Sequence, residues 1–124
     1  MAAKILIADD EPNILLSLEF LMKKQGYNIL IARDGGEAYD LIVSEKPDVL
    51  LLDMMMPRMN GYELCQFVKN TDGYKHARVV FLSAKSKEAD VQKGYAAGAD
   101  LYLPKPFSTR ELVAKVGELA AQSV

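Results

Sequence analysis

Short continuous aliphatic runs alternate along the chain with stretches whose apolar residues recur every three or four positions. The runs are KILIADD (4 to 10), YNILIA (27 to 32), DVLLLDM (48 to 54), RVVFLSA (78 to 84) and DLYLPKP (100 to 106). Because they are continuous rather than alternating, they predict parallel strands covered on both faces. In 12 to 25, Ile14, Leu15, Leu18, Leu21 and Met22 share one helical face, with Pro12 suited to the first turn and Gly26 to the exit. Ala38, Leu41 and Ile42 mark a second helix, and Leu64, Cys65 and Val68 a third. Val91 and Tyr95 mark a fourth, which Ser86 is expected to cap and Gly98 to end. Leu112, Val116 and Leu119 form the stripe of a fifth, and STRE (108 to 111) reads as a capping box. The order βαβαβαβαβα implies a parallel sheet with helices on both faces, joined by right-handed crossovers.

Composition narrows the setting. A length of 124 residues suits one domain, taken as 1–124, with half the residues hydrophobic and 26% charged, the balance of a soluble globular protein. A net charge of −2 gives no electrostatic case for direct nucleic-acid binding. The single cysteine, Cys65, cannot close an internal disulfide and, on the apolar face of helix three, reads as core. The N-terminal apolar run is too short for a secretory signal, and no stretch approaches the ~20 apolar residues of a membrane helix. The expectation is a cytoplasmic protein without membrane contact.

Ligands in such sheets sit beyond the carboxyl ends of the strands. Asp9 and Asp10 end strand one, Asp53 ends strand three, Ser83 ends strand four, and Lys105 follows strand five. If strands one and three are neighbours, three carboxylates crowd together and need a counter-charge. Mg²⁺ suits such hard oxygen donors. The four methionines Met54, Met55, Met56 and Met59 would instead favour a soft metal, which the adjacent carboxylates argue against. His76 lies in a polar loop and reads as solvated. Carboxylates, a hydroxyl and one lysine together read as a phosphoryl-transfer site, in which a carboxylate is itself a competent nucleophile.

ADDEP after strand one, LLLDMMMPRMNG after strand three, FLSA at strand four and YLPKPF after strand five resemble the receiver domain of two-component response regulators, the family of the chemotaxis response regulator. Pro57 and Gly61 follow Asp53 as the family pattern asks. The resemblance implies a flavodoxin-like (βα)5 fold, a doubly wound five-stranded parallel sheet of order 2-1-3-4-5. It also implies a signalling switch rather than an enzyme, one that assists its own phosphorylation and dephosphorylation. Asp53 would be the phosphoacceptor, loaded by a histidine kinase or phosphotransfer protein. Mg²⁺ would be held by Asp10, Asp53 and the backbone carbonyl of Met55, with Asp9 acting through water. Ser83 and Lys105 would hold phosphoryl oxygens, and Met55 and Lys85 would flank the path of the attacking water. Tyr102 takes the place of the family's switch aromatic, turning inward as Ser83 moves, and the face of helix four, strand five and helix five would be the partner or dimer surface.

Three other readings are weaker. A phosphatase of the haloacid-dehalogenase type would carry Asp-x-Asp after strand one, where this chain has adjacent Asp9 and Asp10, and there is no room for a cap domain. A dinucleotide or flavin carrier would show G-x-G-x-x-G after strand one, which is absent. A degenerate receiver would have lost one of the five key positions, and none is lost.

Overall fold

The computed structural model describes residues 2–84 and 88–123. In chain order the elements are β1 (Lys4–Ala8), α1 (Pro12–Lys24), β2 (Asn28–Ala32), α2 (Gly35–Glu45), β3 (Val49–Leu52), α3 (Gly61–Asn70), β4 (Arg78–Ser83), α4 (Glu88–Ala96), β5 (Leu101–Pro104) and α5 (Thr109–Ser123). All neighbouring strands are parallel, in the order β2-β1-β3-β4-β5. The flavodoxin-like arrangement expected from the sequence is the one observed.

Alternation along each strand feeds two cores. Leu6, Leu50, Leu52, Val79 and Phe81 pack with α2 and α3 on one face, where Ala38, Ile42, Leu64, Cys65 and Val68 are buried. Ile5, Ile7, Val49, Leu51, Val80 and Leu82 face α1 and α5, where Leu15, Leu18, Met22, Leu112 and Val116 are buried. Continuous aliphatic runs thus arise because both faces of β1, β3 and β4 are covered. YNILIA is different: β2 lies at the edge and leaves Ile29, Leu30 and Ile31 only half-buried.

Several details depart from the expected pattern. In α4 the buried residue is Gly94, whereas Val91 is half-buried and Tyr95 is 44% exposed. A Cβ at position 94 would approach the Tyr102 ring to 2.9 Å, so α4 can sit this close to β5 only with glycine there. In α5, Ala120 completes the buried stripe while Leu119 is half-buried. Ser108 Oγ accepts from the Glu111 N–H at 3.2 Å, as the capping reading of 108 to 111 asks. A full capping box also opens α3, where Asn60 and Glu63 exchange side-chain bonds of 3.0 and 3.1 Å. The expected cap of α4, Ser86, lies outside the described residues.

The other edge strand, β5, is closed by side chains. Its Tyr102 N–H points away from β4 and donates to the Tyr95 hydroxyl at 3.1 Å. The turn before β5 is held by Asp100, which accepts from the Val79 N–H (2.8 Å), from Lys69 Nζ (2.9 Å) and from Arg78 (3.3 Å). Replacing Asp100 by alanine would leave Lys69 and the Val79 N–H without that acceptor, a loss of about 2 kcal/mol. Urea unfolding of Asp100→Ala measures it, and a loss below ~0.5 kcal/mol would show that other contacts hold this turn.

Candidate phosphoryl-transfer site

Each strand-end residue is fixed by main-chain bonding one step beyond the regular sheet. Asp9 N–H donates to Ala32 O (3.2 Å), Asp53 N–H to Ala8 O (3.0 Å) and Lys105 N–H to Ser83 O (2.7 Å). The parallel register therefore delivers five chemically active side chains, Asp9, Asp10, Asp53, Ser83 and Lys105, to one edge. Asp9, Asp10 and Asp53 each present a carboxylate oxygen within 4.8 Å of the others.

The three carboxylates are not equivalent. Asp9 is buried, its Oδ1 accepting from the Glu11 N–H (2.9 Å) and its Oδ2 from Lys105 Nζ (2.9 Å). Asp10 is exposed and Asp53 is half-buried. Burial, then the charge of Asp9, push the Asp53 carboxyl from an ordinary 3.8 up to about 6, with Asp10 adding to the rise. Lys105 and a hydrogen bond from the Met55 backbone oppose that rise without cancelling it. Burial pulls the Lys105 ammonium down, but its bond to Asp9 and the charges of Asp53, Asp9 and Glu11 outweigh that and raise it.

Ser83 is buried at the end of β4, and its side chain shares a hydrogen bond with Tyr102. The Tyr102 ring is inside, 5% exposed and 6.2 Å from Phe81. The side chain therefore lies inward, over the end of β4, in this structure. The Met55 side chain is 54% exposed at the site, and Lys85 lies outside the described residues.

The donor set fits a hard cation. It consists of carboxylate oxygens with one lysine among them, and the raised Asp53 carboxyl marks negative charge that Lys105 alone does not offset. The methionines serve as packing: Met54 and Met56 are buried in the core beside α2 and α3, with Met59 packed against it. Cys65 is likewise core, its thiol pushed up to about 11, chiefly by burial. His76 is exposed, as expected. Glu11, whose N–H orients Asp9, was not among the residues singled out from sequence. Its part is played by its backbone, which no side-chain pattern reports.

A carboxylate cluster, a hydroxyl and a lysine on the carboxyl edge of a doubly wound sheet define an α/β domain of the phosphoryl-handling class. The chain belongs to the response regulator receiver domain family, whose model matches residues 5–117. Among solved structures, a response regulator from Chloroflexus aurantiacus J-10-fl is similar at 33% identity and TM-score 0.91, covering 98% of this chain and 99% of that one. The BeF3-activated DrrB receiver domain is 33% identical with TM-score 0.87, at 96% and 97% coverage. The chemotaxis protein CheY4 of Vibrio cholerae is 29% identical with TM-score 0.88, at 96% and 99%. The protein is a phosphorylation-activated switch of the two-component kind, and its family works with histidine kinases or phosphotransfer proteins. The haloacid-dehalogenase alternative gains no support. No helix among the described residues is long and apolar enough to cross a membrane.

The raised Asp53 carboxyl has a consequence for the metal-free protein. A carboxyl whose folded value exceeds its unfolded one holds its proton longer when folded, so stability falls as pH rises from 3.8 through about 6. The full shift corresponds to about 3 kcal/mol, reduced to about 1–2 by solvent screening of a half-buried group. In a metal chelator, Asp53→Asn is expected to be more stable than wild type by that amount at pH 7.5, with the advantage vanishing near pH 4. Thermal unfolding at the two pH values checks this, and an equal difference at both contradicts it.

Proposed function

We propose that Asp53 is the phosphoacceptor, that Lys105 and Ser83 hold phosphoryl oxygens, and that the domain turns over no other substrate. The observation that carries this reading is the placement of a half-buried, poorly compensated carboxylate beside Asp10 and opposite the Lys105–Asp9 pair. Mg²⁺ would be held by Asp10, Asp53 and the Met55 carbonyl, with Asp9 acting through water. When bound, it would supply charge neutralisation for the phosphoryl oxygens. Asp9 suits an indirect role because both its oxygens already accept hydrogen bonds from the protein.

In the transfer, an Asp53 oxygen forms a bond to phosphorus as the phosphorus–nitrogen bond of a phosphohistidine breaks and the imidazole leaves. Lys105 Nζ, now paired with Asp9, then has a phosphoryl oxygen as a second acceptor. The donor protein would rest on an apolar cleft of about 430 Å³ between α1 and the start of α5, whose lining includes Ile14, Leu18, Phe20, Leu21 and Phe107. Association of that kind with a histidine kinase or phosphotransfer protein fits a cytoplasmic domain. With acetyl phosphate and Mg²⁺, intact mass should show one added phosphoryl group, absent in Asp53→Asn. Its rate should fall ~100-fold in Asp10→Ala or Lys105→Ala. Undiminished labelling of Asp53→Asn sinks the assignment.

For output, the reading is that phosphorylation favours the inward Tyr102 state by binding it better, shifting an equilibrium that already exists. Ser83 links the two, since a charge-assisted bond from its hydroxyl to a phosphoryl oxygen outweighs the neutral one it shares with Tyr102. The α4–β5–α5 face would carry the change to a partner or to a second copy of the chain. Beryllofluoride with Mg²⁺ should shift the Tyr102 ring signals in NMR, and Ser83→Ala should weaken that shift while Asp53 still accepts phosphoryl. Ring signals that are identical with and without beryllofluoride would rule out this coupling.

A further inference from the structure

The segment from Asp53 to Asn60 carries both the acceptor and Met55, yet it contains no regular structure. Its ends are tied down by the chain itself. Asp53 N–H is bonded to Ala8 O at 3.0 Å, and Gly61 N–H to Met54 O at 2.9 Å. Its middle, residues 57 to 59, is held from outside, by the first residue of α2.

Gly35 N–H donates to Pro57 O at 3.1 Å, and the same carbonyl accepts from the Met59 N–H at 2.9 Å across Arg58. Arg58 has φ +72°, a left-handed conformation uncommon for a side chain of its size. The two backbones are in direct contact. A Cβ on Gly35 would overlap the Met59 carbonyl and lie 2.7 Å from the Met59 Cα. A backbone cannot swing aside as the end of a side chain can. Nor can α2 retreat, since Ala38 and Ile42 anchor it in a close-packed core and Asp34 caps it through the Glu37 N–H at 2.9 Å.

Two neighbouring comparisons sharpen the point. A Cβ on Gly36 would meet chiefly side chains, the Arg58 Cδ at 2.9 Å and Asp34 Oδ1 at 3.2 Å, and a Cβ on Gly117 would meet only the Tyr27 hydroxyl at 3.8 Å. Gly35 itself has no left-handed φ, so its backbone shape is open to alanine. Only the closeness of the loop demands glycine there.

We propose that Gly35 is a positioning residue for the phosphoacceptor loop: by letting the backbone of residues 57 to 59 rest on the start of α2, it sets the position of Met55 relative to Asp53 and Asp10. This deepens, and rests on, the reading of Met55 as a Mg²⁺ ligand through its carbonyl. Mg²⁺ demands near-ideal octahedral geometry, so a loop displaced by the width of a methyl group holds it poorly even when the fold survives.

The test breaks the contact from each side in the intact chain. Gly35→Ala pushes the loop from α2. Arg58→Pro undoes the turn from within the loop, because proline cannot adopt φ +72°, and the Arg58 side chain is 73% exposed and outside the core. Gly36→Ala and Gly117→Ala are controls. Amide NMR titration with MgCl2, at one pH and alongside Tm, should show the Mg²⁺ dissociation constant rising at least about tenfold in the first two variants. The controls should stay within about twofold of wild type. A folded Gly35→Ala with wild-type affinity overturns the proposal, as does a wild-type affinity in Arg58→Pro should Gly35→Ala not fold. Loss of the fold in both counts against a local role and overturns it too. A wild-type chain that takes no Mg²⁺ is a different failure, of the site assignment, and this inference falls with it.

Discussion

Lys105 and Asp9 are 96 residues apart in sequence and 2.9 Å apart in space, and the acidic edge depends on that pair. Three carboxylate oxygens within 4.8 Å of one another repel strongly in a half-buried setting. The ammonium is held against Asp9, and the charges of Asp53 and Asp9 outweigh the cost of its burial. For it to be there, β5 must lie beyond β4, β4 beside β3 and β3 beside β1, with each strand running the same way. The sheet order thus serves an electrostatic need as well as a packing one. The compensation is also incomplete, so the Asp53 carboxyl stays raised to about 6 despite the nearby ammonium.

Much of this was legible in the chain. Aliphatic runs in DVLLLDM and RVVFLSA mean burial on both faces, and the residues that end them fall at one edge because parallel strands share a direction. Asp9, Asp10, Asp53, Ser83 and Lys105 follow from that geometry without reference to distance. The reading was less sharp wherever a run does not tell centre from edge, as in β2. It failed where the determinant is the approach of one backbone to another. Gly94 under Tyr102 and Gly35 against Met59 leave no local pattern, since a glycine chosen for closeness looks like any other. The capping box of α3 opens at asparagine, which caps as well as serine or threonine but falls outside the S/T-x-x-E pattern.

Tyr102 shows how little slack the β5 side of the sheet has. Its ring is packed against Phe81, bonded to Ser83 and overlain by a helix that has no side chain at the point of contact. Phe81 in turn meets Tyr62 at 5.8 Å, and Tyr62 lies under Lys93 at 4.5 Å. A displacement at Ser83 therefore meets a run of rigid rings reaching from β4 to the outer surface of α4. Packed interiors pass such displacements on because they deform little.

The Tyr95 hydroxyl on the Tyr102 N–H has a bearing on how copies of this protein can meet. The outward positions of β5 are Tyr102 and Pro104: one N–H is already engaged and the other does not exist. An unguarded sheet margin invites a foreign strand to extend the ladder, the first step toward fibres. Here an incoming strand finds no free donor at these two positions, so the margin can offer it main-chain acceptors only. A ladder extended from this flank would thus lack half of its usual main-chain bonds.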